Sequence, residues 1–398
     1  MVNIVFFNIK INHQFSIPMS TNASDADRQS RILVISMRGY RFQVANCCIY
    51  EFEDLLCDLE KADLYSPSRE FTWGRKVYRA AKYLSRSHKF AASVAPFPQE
   101  FSIQGEYDLV FAVLDNPWQM YFLESIKGWR DKCRYAACYI AEMWEPDLSD
   151  WQLLQEPFQI FDRIFLGVTH CVSGLSELIN RPVSYVPPAV DTLSFSPYPD
   201  PPERCIDVSY VGRRASLIHE SLFRHSQNNN FFYYYDTAKN QKLEIDNSHQ
   251  HRAKLISLFQ RSRYNITYYA KFNSTQETGG TQEIGYRFFE GAAAGTVMIG
   301  MPPAGEAFPR YFDWEDAVVK YDFTTTNVVD AIAELDDQPE RLERIRRRNV
   351  ANSLLKHDWV YRWREMLATL DLEPSPAMVR REQRLQELAQ EIQGHVIV

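Results

Sequence analysis

Residues 281 to 300, Thr-Gln-Glu-Ile-Gly-Tyr-Arg-Phe-Phe-Glu-Gly-Ala-Ala-Ala-Gly-Thr-Val-Met-Ile-Gly, restrict what this chain can fold into more than any other stretch. They read as a loop, a short helix, a tight turn and a buried strand. Gly279, Gly280 and Gly285 give the entry freedom and let a ligand approach the backbone. Phe288, Phe289 and the Ala292 to Ala294 run predict a compact helix able to pack close to a sheet. Gly295 stands where a helix C-terminus takes a left-handed residue. Thr296 to Ile299 reads as an apolar strand, ended by Gly300 and Pro302-Pro303. Arg287 and Glu290 share one face of the helix. They make either a local ion pair on a solvated face or a ligand grip, the carboxylate taking hydroxyls and the guanidinium a phosphate. A helix that starts at the end of a sheet is an anion site and favours the grip.

Elsewhere the chain alternates strand and helix. Ile32 to Ser36, Tyr107 to Leu114, Arg134 to Ile140 and Ile164 to Val168 are short apolar runs, with helical patterns between them such as Ile49 to Leu59 and Trp118 to Trp129. That alternation predicts a parallel sheet with helices on both faces, in which ligands meet the carboxyl ends of the strands. Gly39, Asp115, Glu142, Glu145 and His170 fall near such ends. Each also has a plainer role: a turn residue for Asp115, a solvated helix start for Glu142 and Glu145, a packed core histidine for His170.

Val183 to Asp191, followed by Phe195-Ser196-Pro197, is a proline-restricted segment and marks a domain boundary. The linker continues to residue 203. Ile206 to Val211 opens a second domain and runs into Gly212-Arg213-Arg214 ahead of a helical pattern, which is a phosphate-site arrangement. Phe231 to Tyr235 reads as a core strand, and Arg261 to Tyr269 as another that delivers Lys271. Residues 326 to 370 read as helical. His357-Asp358-Trp359 is a packing element, and residues 378 to 393 form an amphipathic helix able to dock on the body or on a partner. The expected units are an arm over 1–30, domains over 31–190 and 204–340, closing helices over 341–372 and a tail helix over 373–398.

A length of 398 residues suits two domains. The net charge of −7 argues against nucleic acid as a main partner and against a broad basic membrane face, while leaving room for a local peripheral membrane patch. The seven cysteines are irregularly spaced without zinc-ligand pattern, so buried free thiols in a reducing, cytoplasmic setting are expected. No apolar run reaches membrane-spanning length, and Met1 to Phe7 lacks a basic signal-peptide start.

The 281–300 stretch resembles the nucleotide-sugar signature of GT-B glycosyltransferases of the group 1 type and their spore-maturation-like relatives, with further matching segments over roughly 160–365. The Pro187-Pro188-Ala189-Val190-Asp191 segment is similar to the linker of that group. The resemblance implies two Rossmann-like α/β domains facing across a cleft, with C-terminal helices packing back. It implies Glu290 on the donor ribose, and Arg213 or Arg214 on the diphosphate, where the residue readings add Lys271 and Arg287. Gln282, Glu283 or Gly285 would lie near the sugar; the signature's first Glu is Gln282 here, with Glu283 one place along. Glu142 and His170 would serve the acceptor half. The implied activity is transfer from a nucleoside-diphosphate sugar to a glycan, lipid or protein acceptor in glycan biosynthesis, without a metal or other cofactor and with retention. Rival readings are a non-catalytic sugar- or nucleotide-binding assembly protein, and an epimerase or phosphorylase on the same scaffold. On the central assignment, Glu290→Ala should abolish nucleotide binding and leave the fold intact.

Overall fold

A computed structural model describes residues 30–38, 43–66, 72–87, 105–123, 128–146, 155–236 and 244–394, together with residues 90, 91, 94, 103 and 126. Residues 1–29 of the expected N-terminal arm, and Gly39, lie outside the described residues.

The apolar runs form two parallel sheets. The first holds β1 (Ile32–Ile35), β2 (Asp63–Tyr65), β3 (Tyr107–Leu114), β4 (Cys133–Ile140), β5 (Arg163–Leu166) and β6 (Val183–Tyr185), in the order β2-β1-β3-β4-β5-β6. The second holds β7 (Ile206–Tyr210), β8 (Tyr233–Tyr235), β9 (Ser262–Tyr268), β10 (Val297–Met301) and β11 (Val319–Lys320), in the order β11-β10-β9-β7-β8. Strand order reverses at β1/β3 and again at β7/β9, and a doubly wound sheet receives ligands at such points.

Ten helices among the described residues reach eight residues or more: α1 (Cys47–Glu60), α2 (Thr72–Ser85), α3 (Val172–Ile179), α4 (Ser216–Asn228), α5 (Ser248–Gln260), α6 (Tyr286–Ala293), α7 (Val328–Asp336), α8 (Pro339–Lys356), α9 (Trp359–Ala368) and α10 (Pro376–Gly394). The helix expected over Trp118 to Trp129 is shorter: a 3-10 turn at Pro117–Gln119 leads into Met120–Leu123, and Gly128 takes a positive φ. The edge strand β2 and helix α2 were not anticipated.

Burial on both faces explains why the strands read as continuous apolar runs. In the first sheet, Ile32, Val34, Phe111 and Val113 face one side, and Leu33, Ile35, Val110 and Ala112 the other. The first of these faces is covered by α1 and by the end of the chain. Phe52 stacks on Trp359 at 4.3 Å, Trp363 meets Phe111 at 4.9 Å, and the Trp363 Nε1–H donates to Glu60 Oε1 at 2.9 Å. Leu385, Leu388 and Ile392 of α10 join the same core, so the tail helix docks on the body. Helix α8 spans both domains: Leu342 and Ile345 pack with the second sheet, Val350 and Leu354 with the first.

Asp358 is the clasp of this return. It is fully buried and accepts from Thr192 N and Oγ1, from Val360 N, and from Arg381. The linker, α9 and the tail helix α10 are thereby tied to one carboxylate.

In the second domain, α6 lies against β10 as its small residues predict. A Cβ at Gly291 would stand 2.8 Å from Met298 Sδ, so glycine sets the approach. Gly295 is left-handed, with φ +64, just past the helix end. The strand that follows runs on through Gly300 to Met301 rather than stopping at Ile299. All seven cysteines are free; Cys47, Cys48, Cys138 and Cys171 are buried, whereas Cys205 is exposed. No described helix is long and apolar enough to cross a membrane.

Candidate active site

The carboxyl ends of the two sheets face one another across a cleft of about 440 Å³. Its walls come from both domains: the start of α1, the loops after β3, β4 and β5, the residues after β7 and β9, and the start of α6. Two helix N-termini therefore open on one space, Cys47 to Ile49 from α1 and Gly285 to Arg287 from α6. The dipole at each end favours an anion between them; at the α1 end the Cys47 N–H already donates to Val44 O of the 3-10 turn Val44–Asn46 that leads into the helix.

Glu290 is at the base of this cleft, 1% exposed. One carboxylate oxygen accepts from Arg252 and the other from Arg287. Arg252 is itself buried and donates through Nε to Glu51 Oε2 at 2.7 Å, while Glu51 accepts from the backbone of Asp191. A line of alternating charge thus runs from α6 through α5 to α1, joining the domains. Burial acts to raise the Glu290 pKa, but Arg287 and Arg252 outweigh it and hold it below the usual carboxylate range. The grip on a ligand hydroxyl expected of Glu290 has to coexist with two arginine contacts, and Arg287 is held in the local ion pair rather than standing free for phosphate. Glu290 is buried in that pair while Arg287 stays partly exposed.

Glu283, almost fully buried, crosses the cleft. Its Oε1 accepts from Thr169 N at 2.7 Å, Thr169 Oγ1 at 2.8 Å and His170 N at 3.2 Å, and lies 2.6 Å from His170 Nδ1. The structure brings together two residues that the sequence named separately. His170 stacks on Trp144 at 5.4 Å, and its Nε2 is buried without a partner.

Lys271, left-handed at φ +51, points its Nζ to Glu142 Oε2 at 3.0 Å and over the Trp144 ring at 4.9 Å. Glu277 binds it from the other side at 3.4 Å. Glu277 also pairs with Arg213 at 3.3 Å, and these charges lower its pKa despite the opposing desolvation. Arg213 lines the cleft; Arg214 instead stacks on Tyr235 and does not. Gly285 caps α6 in an extended conformation at φ −80, so its position does not require glycine's freedom, whereas Gly279 and Gly280 are left-handed. Gln282 turns away into a neighbouring cavity of about 390 Å³, where its Oε1 accepts from Ala304 N at 2.8 Å.

Sequence reasoning missed Arg252, Glu51, Trp144 and Cys47. Arg252 sits in a polar helix whose pattern does not mark it, and its role appears only once α1 and α5 are side by side. Burial pushes the Cys47 thiol up to about 12, so it lines the cleft as a neutral group rather than a nucleophile. Among the described residues, no group of three or more His, Cys, Asp or Glu could hold a metal ion.

The family described as "Glycosyl transferase-like" matches residues 226–368, which include α5, α6 and the cleft face of the second domain. No curated protein matches the sequence. Three of the solved structures that share the fold illustrate the likeness. HepE from Anabaena, in complex with UDP and glucose, is 12% identical over 86% of this chain and 100% of its own, with a TM-score of 0.53. An alpha-glucosyltransferase in complex with UDP and a 13-mer DNA is 12% identical over the same shares, with a TM-score of 0.52. An α,α-trehalose-phosphate synthase (UDP-forming) from Burkholderia vietnamiensis is 9% identical, again over 86% and 100%, with a TM-score of 0.51. Because one of these is bound to DNA, the fold does not support the exclusion of nucleic acid drawn from net charge. The two facing doubly wound sheets, the returning helices and the matched segment agree: the chain has the GT-B fold, and its residues 226–368 match the glycosyl transferase-like family.

Proposed function

We propose that the chain moves a sugar from a nucleoside-diphosphate sugar, held in the interdomain cleft, to an acceptor seated on the first domain. The observation that carries this reading is the meeting of two helix N-termini with Lys271 and Arg213 beside the ionised Glu290. A diphosphate leaving group gathers negative charge as its bond to the sugar breaks. Helix-end N–H groups and fixed cations stabilise that charge without a divalent ion. Glu290, braced by Arg252 and Arg287, presents its remaining lone pairs to the ribose hydroxyls. Lys271 and Arg213 take the diphosphate, and Gly285 and Glu283 border the sugar. Glu142, carried on the acceptor half, reaches across the cleft to Lys271. Retention follows from the group 1 resemblance, and the three UDP-associated neighbours make UDP the first nucleotide to try.

The test is a thermal-shift series with UDP, GDP, ADP, CDP and dTDP, in EDTA and in magnesium, followed by UDP-sugar turnover read by NMR. Selective stabilisation by one diphosphate in EDTA, with slow release of free sugar, is the expected result. No stabilisation by any of them would refute it.

A second reading, binding without turnover, draws on Gln282 and Glu283. The first is an amide turned out of the cleft, and the second is engaged with Thr169 and His170. Diphosphate binding with no sugar release would select it.

A further inference from the structure

The overall charge of −7 conceals a segment of opposite sign. From residue 71 to residue 99 the chain carries Arg75, Lys76, Arg79, Lys82, Arg86 and Lys89, and no Asp or Glu. Helix α2 lies within this stretch, on the first domain. One of its sides is anchored: Ala81 is buried, and Tyr78 packs against Phe122 at 5.6 Å. The outward side is unusual. Tyr83 is 85% exposed and Leu84 81%, higher than any other exposed large apolar residue among those described. Lys76, Lys82 and Arg86 beside them are exposed as well, and Phe90 and Val94 extend the apolar exposure past the helix end.

We infer that α2 is a docking surface for an anionic lipid bilayer. Cations around a projecting aromatic and a leucine match an interfacial helix, in which the ring and the aliphatic chain enter the headgroup boundary and the cations meet lipid phosphate. A nucleic-acid duplex would use the cations but gives no reason for Tyr83 and Leu84 to face water. No described residue of α2 is among those that line the cleft. Docking also sets the domain assigned to the acceptor against the membrane, which fits an acceptor carried on lipid. The docking claim does not depend on the donor assignment.

The full chain is to be sedimented with vesicles of phosphatidylcholine alone and of equal parts phosphatidylcholine and phosphatidylglycerol, with mixed-sequence duplex DNA measured in parallel. Partition on the anionic vesicles only is expected, weakening as salt screens the charges. The triple exchange K76E/K82E/R86E should lower that partition at least about tenfold. The double exchange Y83S/L84S should lower it about tenfold and leave its salt dependence in place. Thermal melting of both variants identifies any that fail to fold; Y83S/L84S, which removes exposed groups only, keeps the test decisive if the triple variant does. Absence of binding to anionic vesicles, equal binding by folded variants, or tighter binding to DNA than to vesicles would each overturn the inference.

Discussion

His170 Nδ1 lies 2.6 Å from Glu283 Oε1, and this contact joins the loop after β5 in one domain to the entry of α6 in the other. The same oxygen accepts from Thr169 N and Oγ1 and from His170 N, so a single carboxylate holds the floor of the cleft shut. Glu283 was expected as a sugar-facing or catalytic group. Its geometry makes it first an interdomain clamp.

Glu283→Ala should therefore destabilise the protein by about 2 kcal/mol, because buried backbone and side-chain donors lose their acceptor. Glu283→Gln keeps an accepting oxygen and should cost less. Urea unfolding monitored by tryptophan fluorescence measures both. An unchanged midpoint for the alanine variant, with only turnover affected, would return Glu283 to a purely catalytic role.

Arg252 is the central cation of the charge line Glu51–Arg252–Glu290–Arg287. Arg252→Met leaves the buried Glu290 and the partly buried Glu51 each short of a partner and should cost about 3–5 kcal/mol. The expectation that Glu290→Ala leaves the fold intact changes for the same reason, since Arg252 and Arg287 would lose their shared acceptor. The double variant Arg252→Met/Glu290→Met should recover part of the loss, and calorimetric melting of the three proteins tests that. Additive destabilisation would show that the pair is not coupled.

The depressed Glu290 pKa gives a sign to acid sensitivity. Its folded value lies below that of the unfolded chain, about 4.3. Its contribution is thus present above that pH and lost as pH falls toward the folded value. The stability gap between wild type and Glu290→Gln should be constant near neutrality and shrink below about pH 4.3. A gap that widens in acid would mean that the carboxyl is protonated in the fold.

His357 sets a second, higher window. It is fully buried among Phe289, Phe312 and Trp314, and neither ring nitrogen has a partner. Burial first, then the charges of Arg362 and Lys356, holds its pKa well below the ordinary value of 6.5. The unfolded chain takes up a proton that the fold refuses. Stability from this site is present above about pH 6.5 and falls as pH drops. His357→Phe should remove that slope and gain on wild type as pH falls below 6, read from denaturation midpoints across pH.

Most of the fold was legible because parallel strands buried on both faces leave apolar runs that sequence displays directly. The turn at Gly295 and the close helix of Phe288 to Ala294 were equally plain, since backbone conformation and side-chain volume are local properties. The short edge strand β2 was not, because Asp-Leu-Tyr lacks both an apolar run and an alternation. The site was half legible. Lys271 and Arg213 follow the ends of β9 and β7, and Glu283 and Glu290 lie at the entry and on the face of the helix read from 281–300, so their placement followed from the order of elements. Arg252 and Glu51 did not, because they matter only through a contact between helices about two hundred residues apart. Gln282 and Arg214 occupied the right loops but point elsewhere, which rotamers and not spacing decide.

The claim that the cleft binds a nucleoside diphosphate is tested most directly by isothermal titration of UDP, in EDTA, into wild type and Lys271→Ala. Lys271 is the cleft cation whose partners Glu142 and Glu277 are themselves partly exposed, so its loss spares the core. The account predicts saturable wild-type binding, weakened about tenfold or more by the alanine exchange as a charge-assisted phosphate contact is lost. Binding that needs magnesium, or equal affinity in the two proteins, would contradict it.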